Sequence, residues 1–370
     1  MILPFQKLIE MTKGDTPSIF SDSEITEDQV QTASVDCSLG RKVFRMKATA
    51  LPSSSEKIDD LIEKLKLYEF DIDPKGSSLE VGGCYIVKLN ENLNLPKNFR
   101  AIFSPKSSIG RVDVFVRAIF DGCNQYDKTP YGYKGSIYLE IIPLSFGVKI
   151  TKGLEMIQFR IRENESLLNN EELFSLDSEN SLQYWNDGRV LEENDLDIAD
   201  DSLFFHVDLD REVVGFEARS NSSSLINLAK IGSRNIEDFW LPIKRPKEGN
   251  LILEPNKFYL LASKERVRIP KDCCAEVLPY DVASGEFRSH YAGFFDNGFG
   301  GDKGTNAVLE VRVRDMPHRL VDGQRICRMV FERTSQVPSK LYGVDSGSNY
   351  IGCGPSVSKH FKDRESSWCE

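Results

Sequence analysis

The segment SPKSSIGR, residues 104–111, places two serines between two cations and two turn-forming residues. Pro105 and Gly110 favour a turn, which leaves several backbone N–H groups without partners in a helix or a strand ladder. Those N–H groups, the two hydroxyls and the cations Lys106 and Arg111 could converge on one anion. The segment therefore predicts a phosphate-binding loop, with an ordinary serine-rich surface turn as the alternative.

The loop belongs to a chain of 370 residues, which is long enough for two domains. Hydrophobic residues make up 40% of the chain, which is enough to form a hydrophobic core in each domain. A net charge of −10 argues against a protein that coats nucleic acid, because a phosphate backbone is met by a broad basic surface. Lys7 and Glu10 interrupt the opening too early for a signal peptide, and no apolar run approaches the roughly 18 residues of a membrane span. We expect a cytoplasmic globular protein that binds neither nucleic acid nor membrane.

Eight cysteines are scattered along the chain without a CxxC pair, and only four histidines could join them. Zinc-dependent base deaminases need His-x-Glu followed by Pro-Cys-x-x-Cys to hold the metal that activates water. Zinc fingers need paired cysteine and histidine ligands. The sequence contains neither pattern, so we expect reduced, mostly buried thiols and no zinc.

Short strand-like segments separated by turn residues follow residue 34. Six of them read CYIVKL, RAIF, VDVFVRAIF, SIYLEII, GVKI and MIQFRI. The segment EKIDDLIEKLKLYEF, residues 56–70, has apolar residues close to helical spacing and predicts one amphipathic helix. Many short strands with frequent glycine and proline favour a barrel or sandwich over alternating strands and helices. The fold class is therefore mainly β.

The second half of the chain repeats the first at a nearly constant spacing. Leu79-Glu80, Tyr85 and Pro96-Lys97 recur 174 residues later (253 minus 79) as Leu253-Glu254, Tyr259 and Pro270-Lys271. Leu139-Glu140 and Gly153 recur 170 residues later (310 minus 140) as Leu309-Glu310 and Gly323. Ordered matches of this kind indicate duplication, with one loop shortened by four residues. The predicted segments are a first module at 1–163, an acidic linker at 164–201, a second module at 202–340 and a closing arm at 341–370.

These residues together resemble the dCTP deaminase family of the trimeric dUTPase-like superfamily, in its long bacterial form with two tandem modules. KSSIGR, residues 106–111, is similar to the family's Arg-Ser-Ser-x-x-Arg phosphate motif, with lysine in place of the first arginine. Residues 34–40 resemble its early Ser-x-Asp-x-x-Leu-Gly strand, and YAGFFDNGF, residues 291–299, resembles its base-binding hairpin. The resemblance implies two distorted β-barrel or jelly-roll modules with a few short helices.

Each module departs from the family pattern in a different place. The first keeps the phosphate motif and Glu140, but its hairpin, residues 124–135, carries an insertion; the second reads LPYD at 278–281, where the motif would lie. Neighbouring modules share each site in this superfamily, so the complementary losses suggest one working site per chain, with Glu310 as its glutamate. Two alternating kinds of module cannot close a threefold ring on their own. A second arrangement is therefore possible, in which rings of identical modules pair the phosphate motif with Glu140.

The two glutamates differ in their predicted surroundings. Strand alternation places Ser136 and Tyr138 on the same face as Glu140, and burial on this largely uncharged face would raise the carboxyl pKa. Arg312 lies two residues beyond Glu310 on the same face, which allows a purely structural ion pair there.

The resemblance implies zinc-independent hydrolysis of dCTP to dUTP and ammonia, feeding dUMP and dTTP synthesis. A catalytic glutamate, Glu310 or Glu140, would shuttle a proton between water and ring N3, while Ser107 and Arg111 fix the water and the glutamate. Lys106 and Ser108 would hold phosphates, and Mg²⁺ would arrive with the triphosphate rather than at a protein metal site. The other expected substrate-binding residues are Ala292, Asp296, Phe299, Tyr342 and Tyr350. The resemblance also implies a homo-oligomer, with a trimer expected.

Two alternatives come from other functional classes. The same fold supports dUTP pyrophosphatases, in which an aspartate of the hairpin activates water against the α-phosphate, and Asp296 would allow this alone or as a second activity. The other alternative is a nucleotide-binding protein without catalysis, in which duplication left both sites degenerate.

Overall fold

Strands make up most of the regular structure in both halves of the chain. The computed structural model of the protein describes residues 1–222, 224–279, 287–288, 293–343, 355–363 and 368. This part of the chain is mainly β, includes a nearly closed barrel sheet and contains four α-helices, which confirms the predicted fold class.

The bounds of the elements follow the chain. The helices are α1 Phe5–Met11, α2 Ile58–Leu65, α3 Ser107–Gly110 and α4 Asn170–Asn180. The first ten strands are β1 Ile19–Ser21, β2 Val35–Met46, β3 Lys66–Asp71, β4 Ser77–Leu79, β5 Cys84–Asn94, β6 Phe99–Pro105, β7 Val114–Ile119, β8 Lys134–Pro143, β9 Val148–Ile150 and β10 Glu155–Glu163. The later strands are β11 Gln183–Tyr184, β12 Ile198–Ala199, β13 Ser202–His206, β14 Val213–Ala218, β15 Ile226–Asn227, β16 Trp240–Lys244, β17 Asn250–Leu253, β18 Phe258–Val267, β19 Cys273–Pro279, β20 Phe287–Arg288, β21 Phe294–Phe295, β22 Thr305–Val313, β23 His318–Val321 and β24 Arg325–Arg333.

The chain folds as two units. The first comprises Met1–Glu165 with the short segments Ser224–Ile231 and Thr334–Lys340. Its main sheet has eight strands in the order β6-β10-β2-β5-β8-β7, with β1 added on β5 and β3 on β2. Every pairing along this order is antiparallel. A smaller sheet, β15-β9-β4, completes the unit.

Helix α2 confirms the amphipathic helix predicted in residues 56–70, but it ends earlier than the pattern suggests. Ile58, Leu61 and Ile62 are buried against one satellite core of the first unit. The chain then turns into β3 at Lys66 because that segment pairs with β2, from Lys42 to Met46. Pairing between distant segments therefore overrides helical spacing after residue 65.

The second unit comprises Ser166–Ser223, Gly232–Arg333 and Leu341–Glu370. Two sheets run β16-β14-β18-β22-β20 and β12-β13-β24-β19-β21, with β11 added on β18. Strands of both sheets contribute to one apolar core, which includes Phe205, Leu261, Leu309 and Phe331. Sheets that bury a shared core in this way form the sandwich type of β architecture.

Equivalent residues of the two units occupy equivalent positions, as the sequence repeat predicts. The Tyr85 hydroxyl accepts a hydrogen bond from the Glu80 N–H at 3.1 Å, and the Tyr259 hydroxyl accepts one from the Glu254 N–H at 2.9 Å. The strand register repeats as well: Ile86 lies opposite Glu140 in the first unit, and Leu260 lies opposite Glu310 in the second. The repeat therefore places a glutamate at the same position of each unit.

Residues 164–201, predicted as an acidic solvated linker, are structured within the second unit from Ser166 onwards. Helix α4 begins with a capping box, in which the Asn169 side chain accepts from the Glu172 N–H at 3.0 Å and Glu172 accepts from the Asn169 N–H at 2.9 Å. Leu173 and Leu176 bury their side chains in the core. Acidic composition hid these two apolar positions, which hold the segment in place.

The described part of the predicted closing arm at 341–370 is built into the second unit. The Gly232 N–H donates to the Lys359 carbonyl at 3.0 Å, and the Lys362 N–H donates to the Arg234 carbonyl at 2.8 Å. The Phe361 ring is fully packed, with its centroid 5.4 Å from that of Phe239. Residues 355–363 therefore pack into a core of the second unit, while residues 344–354 lie outside the described residues.

Two general expectations concern membranes and thiols. Among the described residues, no helix combines the length and the apolar character needed to cross a bilayer. The six cysteines in this part of the chain are all buried, as predicted: Cys37, Cys84, Cys123, Cys273, Cys274 and Cys327.

Candidate active site

The predicted phosphate loop follows strand β6 directly and forms the single turn of helix α3. The Lys106 carbonyl accepts hydrogen bonds from the N–H groups of Ile109 at 2.8 Å and Gly110 at 3.2 Å. The Arg111 N–H donates to the Ser107 carbonyl at 3.0 Å. Three of the N–H groups in the motif are thus used inside the turn, so the loop is helical rather than an open cradle. Any phosphate recognition would depend mainly on the side chains.

Lys106 is held by two carboxylates from neighbouring strands. Its Nζ forms an ion pair with Asp36, which is 1% exposed, and lies 3.1 Å from Glu155 Oε2. Burial alone would lower the pKa of Lys106, but the two carboxylates outweigh it and raise the pKa above its usual value. Asp36 comes from the Ser-x-Asp-x-x-Leu-Gly strand, so two motifs that are distant in sequence meet here. The Lys106 charge is already balanced within the first unit.

The other motif residues are buried to different extents. Ser108 is 6% exposed and Arg111 is 8% exposed, whereas Ser107 is half-buried. Behind the turn, the Asp113 N–H donates to the Gly110 carbonyl at 2.9 Å, and the Asp113 carbonyl accepts from the Leu144 N–H at 2.9 Å. These bonds anchor the loop at the end of strand β8, which also carries Glu140.

Glu140 is a buried carboxyl in the middle of strand β8, with 1% of its surface exposed. Burial raises its pKa to about 7, although hydrogen bonds from the Ala50 N–H, the Tyr126 hydroxyl and the Cys84 thiol oppose the shift. The Cys84 Sγ lies 3.8 Å from Glu140 Oε2. A carboxyl with this pKa can both accept and donate a proton near neutral pH.

The inserted hairpin of the first module folds over Glu140. The Arg117 Cζ lies 4.5 Å from the centre of the Tyr126 ring, and Arg117 forms an ion pair with Asp127. The Ala118 N–H donates to Asp127 Oδ1 at 2.7 Å, and the Asp127 N–H donates to the Ala118 carbonyl at 3.0 Å. These contacts hold the Tyr126 hydroxyl against the Glu140 carboxyl. The insertion thereby covers the first glutamate with the chain's own side chains.

The raised pKa of Glu140 predicts a measurable dependence of stability on pH. The folded carboxyl titrates at about 7, whereas an unfolded glutamate titrates at about 4.3. Between these values the folded state binds more protons, so stability falls as pH rises through this window and then stays level. Glutamine has no titrating carboxyl group at this position. The unfolding free energy of Glu140→Gln should therefore fall less than that of the natural protein between pH 5 and pH 7.5. Urea titrations at several pH values measure the difference.

Glu24 provides the control because it is an exposed glutamate of the same unit. Glu24→Gln should show the same pH dependence as the natural protein. If Glu140→Gln does so as well, the carboxyl is not titrating near neutrality.

Glu310 occupies the equivalent position in the second unit, on strand β22, and is 1% exposed. It lies opposite Leu260, on the face of the sheet away from the core residues Leu309 and Val311. Arg312, considered as a structural partner of Glu310, has its Nη1 donating to the Asn256 carbonyl at 2.8 Å. At least one Arg312 donor is therefore used by the backbone.

The described part of the second hairpin forms a tight aromatic turn. The Phe299 N–H donates to the Asp296 carbonyl at 3.0 Å, and Gly298 adopts a left-handed conformation with φ +87°, which glycine tolerates without strain. The Phe299 ring lies 5.5 Å from the Tyr342 ring, and the Tyr342 N–H donates to the Asn297 carbonyl at 3.2 Å. The two rings expected to cover sugar and base are thus brought together.

Two predicted site residues, Ala292 and Tyr350, lie outside the described residues, as do Tyr280 and Asp281 of the LPYD segment. Sequence reasoning missed several residues that contact the predicted ones: Asp36, Glu155, Cys84, Arg117 and Tyr126. Two sequence features could have pointed to some of these residues: the inserted hairpin contains Tyr126, and the Ser-x-Asp strand contains Asp36. Among the residues that the structure describes, no group of three or more histidine, cysteine, aspartate or glutamate side chains could hold a metal ion.

Known proteins resemble this chain along nearly all of its length. A family model for the 2'-deoxycytidine 5'-triphosphate deaminase (DCD) N-terminal domain matches residues 1–165, and one for the C-terminal domain of the same enzyme matches residues 169–361. The crystal structure of 2'-deoxycytidine 5'-triphosphate deaminase from Agrobacterium tumefaciens superposes with a TM-score of 0.86 and is 35% identical. The match covers 94% of this chain and 99% of that one.

Shorter relatives match only part of the chain. A "dCTP deaminase, dUMP-forming" from Methanosphaera stadtmanae is 34% identical over 134 residues, which is 35% of this chain and 66% of the relative. A protein of the same name from Halobacterium salinarum is 33% identical, over 31% of this chain and 58% of the relative. A "dCTP deaminase" from Halorubrum lacusprofundi is 26% identical, over 45% of this chain and 79% of the relative.

Proposed function

The chain belongs to the 2'-deoxycytidine 5'-triphosphate deaminase family, and on that premise we propose that it hydrolyses dCTP to dUTP and ammonia. The observation that carries the proposal is the buried glutamate at the same strand position in each unit. Deamination without zinc needs such a group, because water must be deprotonated before it can attack the base. The extensive match to a deaminase of known structure supports the same conclusion.

The reaction needs two protons to be moved, one from the attacking water to ring N3 and one from the new C4 hydroxyl to the leaving amino group. The glutamate takes a proton from a bound water while the resulting hydroxide adds to C4 of the cytosine ring, and the ring N3 then receives that proton. The proton of the new C4 hydroxyl then passes to the amino nitrogen, the C4–N bond breaks, and ammonia leaves while a C4 carbonyl completes the uracil ring. General acid–base catalysis of this kind contributes roughly 10²–10⁴-fold. Positioning of water and stabilisation of developing charge supply the remainder.

We assign the proton transfer to Glu310. Glu140 has a suitable pKa of about 7, but Tyr126 hydrogen-bonds to its carboxyl and Arg117 stacks on that tyrosine. Both glutamates are 1% exposed, so a cytosine ring would have to displace side chains at either one, and the assignment rests on the second hairpin. The second hairpin, with Phe299 and Tyr342 in contact, keeps the aromatic surfaces that a base and a sugar would use.

Arg111 is the principal cation for the triphosphate in this proposal. Lys106 already faces Asp36 and Glu155, so its charge is compensated before any ligand binds. Ser107 and Ser108 add hydroxyl donors at the start of the same turn. An arginine next to these hydroxyls can form charge-assisted hydrogen bonds with phosphate oxygens.

Magnesium would enter with the nucleotide. Mg²⁺ usually keeps several waters and binds through substrate phosphates with only one or two carboxylates. The carboxylates next to the loop, Asp36 and Glu155, are engaged by Lys106, which fits an ion carried mainly by phosphate oxygens. The ion would neutralise phosphate charge, while the protein residues orient the base and move the proton.

The metal proposal predicts that EDTA removes activity, that added Mg²⁺ restores it, and that Zn²⁺ is not required. Deamination of dCTP after chelation and metal replacement measures this directly. Metal analysis of the purified chain provides the control, because a stoichiometric, tightly bound zinc would contradict the zinc-free mechanism.

A second candidate activity is removal of pyrophosphate after or instead of deamination. Four relatives, including the two described above, carry names that specify formation of dUMP. Asp296 lies in the hairpin where such an activity would place its aspartate. Incubation with dCTP, with ammonia and pyrophosphate measured together, separates the possibilities. Ammonia alone indicates a deaminase that stops at dUTP, whereas both products indicate formation of dUMP. Tight dCTP binding without either product would indicate a nucleotide-binding protein without catalysis.

A homo-oligomer, with a trimer expected, completes the proposal, because sites in this superfamily combine residues of neighbouring modules. Sedimentation equilibrium of the full chain measures the assembly state. An active monomer would contradict the expected trimer.

A further inference from the structure

A cavity of about 460 Å³ lies in the first unit, and none of the residues assigned to dCTP deamination lines it. Helix α1, the loop that follows it, the start of strand β6 and the segment Thr334–Lys340 surround it. Its apolar lining comes from Leu3, Met11, Pro17, Pro96 and Phe99. Cavities of this size, mostly apolar with a few polar groups, are typical of sites for small organic ligands.

The charged side chains around the cavity differ in whether they already have partners. Lys7 forms an ion pair with Glu10 at 2.9 Å, and Glu163 accepts a hydrogen bond from the Asn98 side chain at 2.7 Å. Lys13, an exposed residue of the lining, makes no ion pair with any residue that the structure describes. A negatively charged group could therefore approach Lys13 without breaking an existing ion pair.

A buried hydroxyl provides a second, independent indication. The Ser335 Oγ is inaccessible to solvent and has no hydrogen-bond partner within the described residues, although Ser335 lines the cavity. The Ser335 N–H is used, since it donates to the Ile2 carbonyl at 2.9 Å, so the backbone is fixed while the side chain is unsatisfied. A buried hydroxyl without a partner costs stability. The Oγ can meet a ligand in the cavity only after the side chain rotates about its Cα–Cβ bond, and a ligand that supplies the missing hydrogen bond would favour that rotation.

We infer that this cavity binds a small organic anion with an apolar body, whose negative group meets Lys13 and whose polar edge meets the Ser335 hydroxyl. The apolar body would lie against Leu3, Met11 and Phe99. Two kinds of molecule share this chemistry, a nucleoside monophosphate and an aromatic carboxylate. The inference does not depend on the deaminase activity, because none of the residues assigned to that reaction lines the cavity.

Isothermal titration of the full chain tests the charge requirement with 3-phenylpropionate and its uncharged amide. The carboxylate should bind at least tenfold more tightly than the amide, and Lys13→Glu should abolish that preference. Lys75→Glu is the matched control, since Lys75 is an exposed lysine of the same unit outside the cavity. Equal binding of acid and amide, or no binding of either at millimolar concentration, would overturn the inference.

The serine gives a readout that a purely structural role would not produce. Ser335→Ala should melt at the same or a higher temperature without ligand, because it removes an unsatisfied buried group, and should bind 3-phenylpropionate several-fold more weakly. A lower melting temperature with unchanged affinity would mean that the hydroxyl serves the fold and not a ligand.

Titration with dUMP distinguishes the two ligand sources, since dUMP could also bind at the proposed reaction site. If Lys13→Glu weakens dUMP binding and Arg111→Ala does not, the cavity accepts nucleoside monophosphates. If only Arg111→Ala weakens it, the cavity is selective for carboxylates, provided that 3-phenylpropionate still depends on Lys13.

Discussion

Replacing Arg111 with alanine should abolish measurable dCTP turnover and weaken triphosphate binding roughly tenfold to a hundredfold. The residue is 8% exposed and directly follows the turn that carries Ser107 and Ser108. A hydrogen bond to a charged group is worth about 1.5–3 kcal/mol, and 1.4 kcal/mol corresponds to a factor of about ten in affinity. The neighbouring Lys106 cannot compensate because Asp36 and Glu155 already engage it. Steady-state kinetics and titration with dCTP measure both effects.

Arg189 supplies the matched control, because it is an arginine with a highly exposed side chain in the second unit. Arg189→Ala should keep the natural kinetics. Because Arg111 is buried, circular dichroism and thermal melting must first establish that Arg111→Ala is folded. A folded Arg111→Ala protein with natural kinetics would rule out the phosphate role of this turn.

The mainly β fold and the duplication could be predicted from sequence because both leave local, regularly spaced traces. The tyrosine hydrogen bond illustrates this: Tyr85 and Tyr259 lie 174 residues apart and make the same contact, with Glu80 and Glu254. Residues that make an equivalent contact in both copies are constrained in type and in spacing. A repeat can therefore be detected even when most other positions differ.

Contacts set by strand register could not be predicted in the same way. Glu140 lies opposite Arg117 because β7 and β8 pair with one particular offset, and no local pattern encodes that offset. The position of Tyr126 against Glu140 depends on the same register. Likewise, Asp36 meets Lys106 only because Asp36 of β2 pairs with β10, which also pairs with β6. The motifs identified the participating segments, and the tertiary structure determined which side chains touch.

The acidic segment 164–201 shows how composition can mislead. Its many carboxylates suggested a solvated connector, yet Leu173 and Leu176 were enough to place α4 in a core. Two leucines one helical turn apart form only a weak amphipathic pattern when most of the surrounding residues are acidic or polar.

Glu310→Gln should lower kcat for dCTP deamination by roughly 10²–10⁴-fold while leaving dCTP binding nearly unchanged. Glutamine keeps the shape and one oxygen acceptor of the side chain but cannot carry a proton. The loss should therefore appear in kcat rather than in binding, which single-turnover kinetics and titration with dCTP distinguish. Glu140→Gln should affect the chemistry little, because Tyr126 already hydrogen-bonds to the Glu140 carboxyl.

The pair of variants decides between the two arrangements of the site that the sequence left open. If homotypic rings join the phosphate motif to Glu140, the outcomes exchange: Glu140→Gln loses the chemistry, Glu310→Gln keeps it, and Tyr126 must then move away for substrate to enter. Tyr126→Phe separates the cases further, since it removes the hydroxyl that contacts Glu140 and should change the rate only in the homotypic arrangement. Natural rates in both folded glutamine variants would mean that neither glutamate transfers the proton. The deaminase proposal would then lose its central residue.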